Sequence, residues 1–335
     1  MRELFQRAVP LLLEWYRIHK RTLPWRGERD PYKVLVSEIM LQQTRVEAVK
    51  GYYARFLEQF PTPAALAVSS EEEVLKAWEG LGYYSRARNL KKAAEEIAKN
   101  GFPQTFEGVR RLAGVGDYTA GAVCSIALGL PCPAVDGNVL RVLTRLFADG
   151  RNIGKAETKG AFSALLTEHF PPETADFTQA LMELGALVCL PNGKPQCELC
   201  PWHTLCRAHL AGEEENYPVK SEKAARKIER LDVFVLKHKN KFALTKREKK
   251  GLLAGLYSFP LFPAGDKDVS SFGKAVKKKS AKHIFTHVEW HMTGYLIEAT
   301  EETEGYLWAS AEEIFARYAL PSAFKAFLPW IEENE

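Results

Sequence analysis

The stretch Leu112-Ala-Gly-Val-Gly-Asp-Tyr-Thr119 lies between two segments whose apolar residues have helical spacing. Two glycines one residue apart allow a tight backbone turn and let backbone N–H groups come close to a ligand. At the start of a helix, such N–H groups bind phosphate without any charged side chain. An ordinary interhelical turn with two glycines is the alternative. The stretch therefore predicts two helices joined by a hairpin, with an anionic backbone as the candidate ligand.

A second segment groups four of the six cysteines, Cys189, Cys197, Cys200 and Cys206. Four thiolates in one short segment can hold a single metal ion or cluster. Two disulfides are the alternative, but the remainder of the chain is poor in cysteine and the charged N-terminus lacks the apolar stretch of a secretory signal. Zinc and a 4Fe–4S cluster both remain open on spacing. The single C-x2-C pair favours the cluster, because zinc sites usually combine two such pairs.

The composition is that of an ordinary globular protein, with 46% apolar and 26% charged residues among 335. This length predicts two or three domains, and no apolar run is long enough to span a bilayer. The net charge of +4 permits nucleic-acid binding without requiring it. A basic run at residues 277–279 adds local positive charge.

Residues 1–211 have the pattern of helices separated by short turns. Asp30 precedes a proline, which is typical of an N-cap followed by proline at the first helical position. Thr44 and Ser70 each stand three residues before a glutamate and predict capping boxes. Pro10 predicts that the first helix starts late or kinks.

The pattern changes after residue 212. A charged stretch over 212–229 predicts a linker, and period-2 alternation then predicts strands at 231–237, 242–246 and 290–300. Ser310 and Ser322 predict the starts of two closing helices. We expect a small α+β domain over 230–335.

Two carboxylates have unusual surroundings. Glu38 lies in a helical segment that is apolar almost all round, so loss of hydration should raise its pKa and make it a candidate general acid. A buried glutamate paired with Arg26 or Arg45 is the alternative. Asp136 precedes Gly137 at the start of a predicted helix, where an N-cap is the commoner role.

Together these segments resemble the MutY family of adenine DNA glycosylases, within the endonuclease III or helix-hairpin-helix superfamily. The resemblance covers essentially the whole chain. It implies an α+β multidomain protein, in which an all-α helix-hairpin-helix glycosylase domain with an iron–sulfur loop precedes a small Nudix-like domain. The segments that carry it are Leu23-Pro-Trp-Arg26, residues 36–45, residues 78–86, the hairpin, Val135-Asp-Gly-Asn-Val139 and Leu181-Met-Glu-Leu-Gly185. The resemblance implies a glycosylase domain at 1–211, the linker at 212–229 and the Nudix-like domain at 230–335. Within the glycosylase domain it implies a six-helix module at about 29–136 and an iron–sulfur module made of 1–28 and 137–211.

The resemblance implies hydrolytic removal of adenine paired with 8-oxoguanine or guanine in duplex DNA. Tyr118 stands where bifunctional members carry a lysine, which implies a monofunctional enzyme. The alternatives are an endonuclease III-like glycosylase and lyase, or a non-enzymatic iron–sulfur DNA-binding protein. The implied cofactors are one 4Fe–4S cluster on the four cysteines and a monovalent cation at the hairpin. Seven residues separate Cys189 from Cys197, one more than the family's usual spacing. A monomeric, bacterial cytoplasmic protein is expected. Its expected partner is duplex DNA, and no association with a membrane is expected.

The resemblance also implies roles for individual residues. Glu38 would protonate adenine N7 and Asp136 would stabilise the sugar cation, with support from Tyr118 and Asn138. A threonine replaces the usual serine of the lesion-reading loop, and the catalytic Nudix helix is absent from residues 260–283. Further implied residues are Trp25, Arg26, Leu41 and Glu183 around the adenine; Gln43, Thr44, Leu81, Gly82, Tyr83, Gly114, Val115, Gly116, Phe285, Thr286 and His287 against DNA and the lesion; and Trp202, His203 and Arg207 beside the cysteines.

Overall fold

The computed structural model describes residues 1–221 and 225–332. The predicted linker includes 222–224, and the predicted terminal domain includes 333–335; both stretches lie outside the described residues. The chain divides into two compact units, Met1–Val68 with Asn89–Glu222 and Ser69–Arg88 with Lys223–Glu335. The domain limits drawn from the sequence stay predictions.

The first half of the chain is helical. One buried core of the first unit is formed by residues that face inward from four helices, such as Leu12, Leu143, Phe162, Phe177 and Leu184. None of the described helices has the length and apolar content that crossing a membrane requires. The helices are α1 (Arg2–His19), α2 (Pro31–Leu41), α3 (Val46–Gln59), α4 (Pro63–Val68), α5 (Glu71–Ala77), α6 (Ser85–Asn100), α7 (Phe106–Arg111), α8 (Asp117–Ile126), α9 (Gly137–Phe147), α10 (Ala156–Glu168), α11 (Thr174–Leu187) and α12 (Arg207–Leu210).

Of the helix starts predicted at Asp30, Thr44 and Ser70, the first and the last are confirmed. The Asp30 carboxylate accepts a hydrogen bond from the Tyr32 N–H and caps α2, and Ser70 forms a complete capping box for α5. The box predicted at Thr44 is wrong, since Arg45 is the N-cap of α3 and the Thr44 hydroxyl donates to the carbonyl of Gln42. The chain first turns through a left-handed backbone after α2, so the next helix begins later than the pattern indicates.

Of the two outcomes predicted for the first helix, the late start is wrong, and the kink at Pro10 stays a prediction. α1 begins at Arg2 and contains Pro10, which lies on its exposed face. Phe5 and Leu12 are buried on either side of the proline. Their burial stabilises the helix by about 4 kcal/mol in total, which offsets the roughly 3 kcal/mol cost of an internal proline.

The terminal part is an α+β arrangement, as expected. The three predicted strands are confirmed as β1, β2 and β6, with ends shifted by a few residues. β1 and β6 pair in parallel and the other strand pairs are antiparallel, in the order β3-β2-β1-β6-β5, with β4 on β1 and β7 on β2. The elements are β1 (Lys227–His238), β2 (Lys241–Lys246), β3 (Tyr257–Ser258), β4 (Leu261–Pro263), β5 (Lys274–Ile284), β6 (Val288–Glu298), β7 (Leu307–Ser310), α13 (Ala311–Arg317) and α14 (Pro329–Glu332).

Two details of this part differ from the sequence predictions. Ser310 caps α13 with a full capping box, but Ser322 begins a 3-10 helix, Ser322–Phe327, instead of capping an α-helix. β5, which contains the basic run at residues 277–279, was not predicted as a strand. It is an exposed edge strand, so it lacks the apolar alternation that marks a half-buried strand.

Candidate active site and DNA-binding surfaces

Glu38 lies in the middle of α2, which packs against α8. Only 5% of the residue is exposed, and burial raises the pKa of its carboxyl group to about 7. The Tyr118 hydroxyl, on α8, donates a hydrogen bond of 2.9 Å to Glu38 Oε2 and opposes that rise. The raised pKa predicted from the apolar helix is confirmed, and this group can carry a proton near neutral pH.

Asp136 is the N-cap of α9, as the sequence suggests. Its carboxylate accepts hydrogen bonds from the N–H groups of Asn138 and Val139, at 2.9 and 2.8 Å, and from Asn138 Nδ2 at 2.8 Å. Burial raises its pKa, while these bonds act to lower it. Its charge also raises the pKa of Glu38. The cap therefore fixes the carboxylate within electrostatic range of the candidate acid.

Arg26 and Glu183 form a buried ion pair. Arg26 Nη2 donates to Glu183 Oε2 at 2.8 Å, and Arg26 Nη1 donates to Gln179 at 2.7 Å. Arg21 binds the same carboxylate through its backbone N–H and its guanidinium. These bonds lower the pKa of Glu183 despite its burial. Glu183 is thus ionised and orients Arg26, whose charge lowers the pKa of Glu38.

Sequence reasoning missed Arg21 and Gln179. Gln179 stands four residues before Glu183, so both side chains lie on one face of α11 and could have been grouped. Arg21 carried no comparable signal, because its partner lies 162 residues away. The other pocket candidates, Trp25 and Leu41, are buried and partly buried, and Trp25 meets the Tyr53 ring edge-on at 5.5 Å.

A further missed residue is Arg141, on α9. Its guanidinium donates to Asn138 Oδ1 at 3.0 Å, to the Gly185 carbonyl at 2.8 Å and to the Cys189 carbonyl at 2.7 Å. Asn138 in turn holds Asp136. A continuous chain of hydrogen bonds therefore joins the first cysteine of the cluster segment to the candidate catalytic carboxylate.

The hairpin between α7 and α8 has the predicted form. Gly114 and Gly116 are exposed and Val115 is buried. Gly114 has a left-handed backbone (φ +76°), and a Cβ there would lie 2.6 Å from the side chain of Asn89. Gly116 is the N-cap of α8 and a Cβ there would meet nothing within 4 Å, so its backbone can be approached closely.

The turn after α2 carries two of the candidate DNA-contacting residues. Gln43 is exposed and has a left-handed backbone (φ 56°), which is uncommon for a residue other than glycine. Thr44 is partly exposed, and Gln42 donates to the Thr119 hydroxyl at 3.2 Å. Strained backbone of this kind is concentrated at functional sites.

The remaining lesion candidates belong to the second unit. Tyr83 is 47% exposed and also left-handed (φ 48°), whereas Leu81 is buried. The Tyr83 hydroxyl lies 2.9 Å from the Thr286 hydroxyl. Arg86 donates to the carbonyls of Leu81 and Gly82 and lies over the Tyr83 ring. The structure therefore brings the residue 81–83 turn and the 285–287 loop together.

The 285–287 loop is the tight turn between β5 and β6. The Phe285 N–H donates to the Val288 carbonyl at 2.8 Å, and the Phe285 ring packs edge-on against Trp290. Thr286 and His287 are exposed at the tip. Residues 260–283, all of them described, form strands and a 3-10 turn where a Nudix catalytic helix would stand.

The four clustered cysteines line a single cavity. Arg145 Nη1 donates to Cys189 Sγ at 3.3 Å, which places a positive charge beside this sulfur. Cys197 also lies near His209 and Glu214, with donor atoms within 4.8 Å, but His209 and Glu214 bind each other at 2.5 Å. Four thiols around one cavity match the donor set of a metal or iron–sulfur site.

Trp202 lies beside the cysteines, as expected, and lines their cavity, but it is too buried to face DNA. Trp202 is 2% exposed and its Nε1 donates to the Ala8 carbonyl at 2.8 Å, so it belongs to the core and is not a DNA-facing residue. Its size and apolar surface explain the burial. His203 and Arg207 are exposed.

Comparison with known proteins places this geometry in a family. The profile of the HhH-GPD superfamily of base excision DNA repair proteins matches residues 36–168, and a NUDIX domain profile matches 232–330. An adenine DNA glycosylase of Buchnera aphidicola (subsp. Baizongia pistaciae) is 35% identical over 298 residues, which cover 85% of this chain and 83% of that protein. The chain belongs to the adenine DNA glycosylase family.

Other members of the adenine DNA glycosylase family are similar over different shares of their length. The Rattus norvegicus protein is 33% identical over 409 residues, covering 96% of this chain and 77% of that protein. The Arabidopsis thaliana protein is 40% identical over 292 residues, covering 74% of this chain and 46% of that protein. The chain thus spans about half the length of the Arabidopsis relative.

Solved structures match a little under two thirds of the chain. A thermostable thymine-DNA glycosylase is 30% identical, with a TM-score of 0.56 over 63% of this chain and 97% of that one. An endonuclease III in a non-covalent complex with DNA is 25% identical, with a TM-score of 0.51 over 63% and 96% of the two chains.

Proposed function

We propose that this chain removes adenine from mispairs in duplex DNA by hydrolysing the N-glycosidic bond. The observation that carries the proposal is the Glu38 carboxyl group, buried, bonded by Tyr118 and with a pKa of about 7. Asp136 lies close enough to influence that pKa. A neutral acid beside a second carboxylate is the arrangement that cleavage of a glycosidic bond requires. The adenine DNA glycosylase relatives support the choice of base.

The adenine must leave the base stack to reach these groups. The protonated Glu38 gives its proton to adenine N7, so the base departs as a neutral molecule and the bond electrons stay with it. The sugar becomes an oxocarbenium-like cation that ionised Asp136 stabilises, and Asn138 and the start of α9 hold that carboxylate in place. Glu38 then takes a proton from the water that attacks C1′.

Tyr118 supports hydrolysis without strand cleavage. A lyase needs an amine at this position to form a Schiff base. The Tyr118 hydroxyl instead donates to Glu38, and burial raises its pKa well above the usual value, so it stays protonated. We therefore favour a monofunctional glycosylase over an endonuclease III-like lyase.

For the opposite base we propose 8-oxoguanine, with guanine as a weaker partner. Support comes from the exposed Thr286 and His287 at the loop tip and from the Tyr83 hydroxyl beside Thr286. Hydroxyl and imidazole groups can form hydrogen bonds with a base edge. Thr286 keeps the hydroxyl of the family's usual serine.

DNA contact is proposed at three further places. Gln43 and Tyr83 would insert into the duplex where the bases part, with Thr44, Leu81 and Gly82 near the lesion. The hairpin Gly114-Val-Gly116 would bind a backbone phosphate through its N–H groups. Trp25, Arg26 and Leu41 would surround the adenine, with Glu183 orienting Arg26. The monovalent cation at the hairpin and the monomeric state stay predictions.

We also propose that Cys189, Cys197, Cys200 and Cys206 hold one 4Fe–4S cluster. Their common cavity and the Arg145 bond to Cys189 fit such a group. A bound cluster would fix the fold of the cysteine segment. We expect about four irons per chain and a broad visible absorption from anaerobically purified protein. Colourless protein with one zinc per chain would overturn this assignment.

The Glu38→Gln variant tests the function. We expect single-turnover release of adenine from an A:8-oxoguanine duplex to fall by roughly 100-fold or more, the scale of a lost general acid, while duplex affinity is kept. Glu47→Gln is the control, since Glu47 is an exposed residue of α3. Undiminished adenine release by Glu38→Gln would contradict the assignment of Glu38 as the general acid.

A further inference from the structure

A cavity of about 340 Å³ lies beside Asp136, and its other lining residues have no role in the site described above. Asp136 and Gly137 form one wall at the start of α9, and Asn152, Lys159, Lys220 and Ser221 form others. The volume is within the range of pockets that hold a nucleotide-sized ligand, roughly 300–1,000 Å³. The cavity is open to solvent.

Its charge is positive at the rim. Lys159, on α10, and Lys220 are both exposed, and Asp136 is the one acid among the described lining residues. The Asp136 carboxylate is already bonded by the N–H groups at the start of α9 and by Asn138. Lys159 and Lys220 therefore line a cavity in which this acid, Asp136, is already hydrogen-bonded to the start of α9. This arrangement favours an anionic ligand.

The walls are tied to one another. The Ile153 N–H donates to the Val219 carbonyl at 3.1 Å, and Asn152 Nδ2 donates to the Ser221 hydroxyl at 2.8 Å. Asn152 Oδ1 also accepts from the Gly154 N–H at 2.8 Å. The chain on both sides of Lys220 is thus held to the 152–154 turn, which keeps the cavity open and preformed.

One wall also permits close approach. A Cβ added at Gly137 would meet no atom within 4 Å, so the backbone there borders open space. An alanine at this position would extend into that space. A ligand can therefore come near the start of α9 beside Asp136 without displacing other atoms.

We propose that this cavity receives a phosphodiester group adjoining the extruded nucleotide, with Lys159 and Lys220 as its cationic contacts. The inference rests on the proposed function, because Asp136 acts at C1′ of that nucleotide. The phosphates bonded to the same sugar must then lie within one nucleotide's length of Asp136, where the cavity is. Binding a phosphate there would hold the sugar against the Asp136 carboxylate.

The test combines protein variants with neutral phosphates. Lys159→Gln and Lys220→Gln, together, are compared with Lys155→Gln, which changes one exposed lysine a turn earlier at the start of α10 and outside the cavity. Affinity is measured in a Glu38→Gln background, so the DNA stays intact. The duplexes carry one methylphosphonate at each position flanking the adenine in turn.

We expect one methylphosphonate position at which the parent protein loses about tenfold in affinity, the scale of a charge-assisted hydrogen bond. The double variant should bind about tenfold more weakly than the parent on the unmodified duplex and on duplexes modified elsewhere, but it should lose nothing further at that position, where the two proteins should bind alike. Its salt slope should fall by about 1 for each lysine that contacts a phosphate. Lys155→Gln should behave as the parent.

Additive losses at all positions, or a double variant that matches Lys155→Gln, would overturn the proposal. Equal thermal midpoints exclude misfolding, and Lys159→Arg with Lys220→Arg should restore the coupling. Adenine release is measured on the same duplexes with proteins that keep Glu38 unsubstituted. Coupling here means that the methylphosphonate effect disappears in the double variant. If adenine is released but this coupling is absent, the cavity proposal alone is refuted. If the coupling is present but adenine is not released, the proposed function is refuted and the phosphate site remains.

Discussion

At the scale of single residues, Glu38 was the most predictable part of the site. Val34, Leu35 and Leu41 surround it on α2 in the sequence, and desolvation follows from helical geometry alone. The contact between Glu38 and Tyr118 was less predictable, because the two residues are 80 positions apart in the chain. The ion pairs of Glu183 were unpredictable for the same reason.

Replacing Tyr118 with phenylalanine should move the pH dependence of catalysis. The hydrogen bond from Tyr118 stabilises the ionised Glu38 and lowers its pKa, so its loss should raise that pKa above the present value of about 7. The acid form would then persist to higher pH. We expect the descending limb of the single-turnover rate to shift to higher pH. Tyr53→Phe is the control, since the Tyr53 hydroxyl is buried with no hydrogen-bond partner among the described residues, and an unshifted limb in Tyr118→Phe would contradict the assignment.

Glu38 should also make stability depend on pH. Its pKa is about 7 in the folded chain and 4.5 is the ordinary value, so the folded state holds the proton more tightly. The contribution is fully present below about pH 4.5 and is lost as pH rises through about 7. We expect Glu38→Gln to gain roughly 3 kcal/mol in unfolding free energy relative to the parent between pH 4 and pH 9. Urea unfolding at both pH values measures this, and a constant difference between the two proteins would argue against a raised pKa.

At the scale of elements, α9 links the two chemistries of the first unit. Asp136 caps its start, Arg141 reaches the Cys189 carbonyl, and Arg145 reaches the Cys189 sulfur. The Asp-Gly-Asn motif predicted the start of this helix. The roles of Arg141 and Arg145 were not predictable. Arginine side chains are mostly exposed, so the sequence of an amphipathic helix would place them towards solvent.

Arg141→Gln should therefore weaken both the cysteine segment and catalysis. The substitution removes charge-assisted bonds to Asn138, Gly185 and Cys189 and leaves their carbonyl groups without a donor. We expect a loss of about 3–5 kcal/mol in stability, since each buried hydrogen bond lost is worth roughly 1–3 kcal/mol, together with lower iron content and slower adenine release. Arg151→Gln is the control, since the Arg151 side chain is 42% exposed and its ion pair with Asp149 should be worth about 1 kcal/mol. Equal iron content and release rates in the two variants would refute the link.

At the scale of the whole chain, residues 69–88 belong with the terminal part although they lie far from it in sequence. The Leu320 N–H donates to Glu79 at 2.7 Å, and Lys246 pairs with Glu72 at 3.1 Å. Capping at Ser70 was predictable from local sequence. The assignment of this stretch to the second unit was not, because it depends on contacts across more than 150 residues.

Glu79→Ala should loosen the 81–83 turn. It removes the acceptor of the Leu320 N–H and the partner of Lys76, at a cost of about 1–3 kcal/mol. We expect faster hydrogen exchange at Tyr83 and Arg86 and a smaller preference for 8-oxoguanine over guanine opposite adenine. Glu72→Ala, which breaks an exposed pair, should leave both unchanged. Slow exchange retained in Glu79→Ala would mean that the turn is held without the terminal part.

Sequence by itself determined the periodic and local features of this protein. Helical spacing, the Gly-x-Gly hairpin, the capping residues and the cysteine spacing each depend on neighbours within a turn or two, so they could be identified without coordinates. Tertiary structure alone decided the partners of Glu183, the link from Arg141 to Cys189, the burial of Trp202 and the cavity beside Asp136. Those features join residues distant in the chain, and the free energy of each contact exists only once the fold has brought the two ends together.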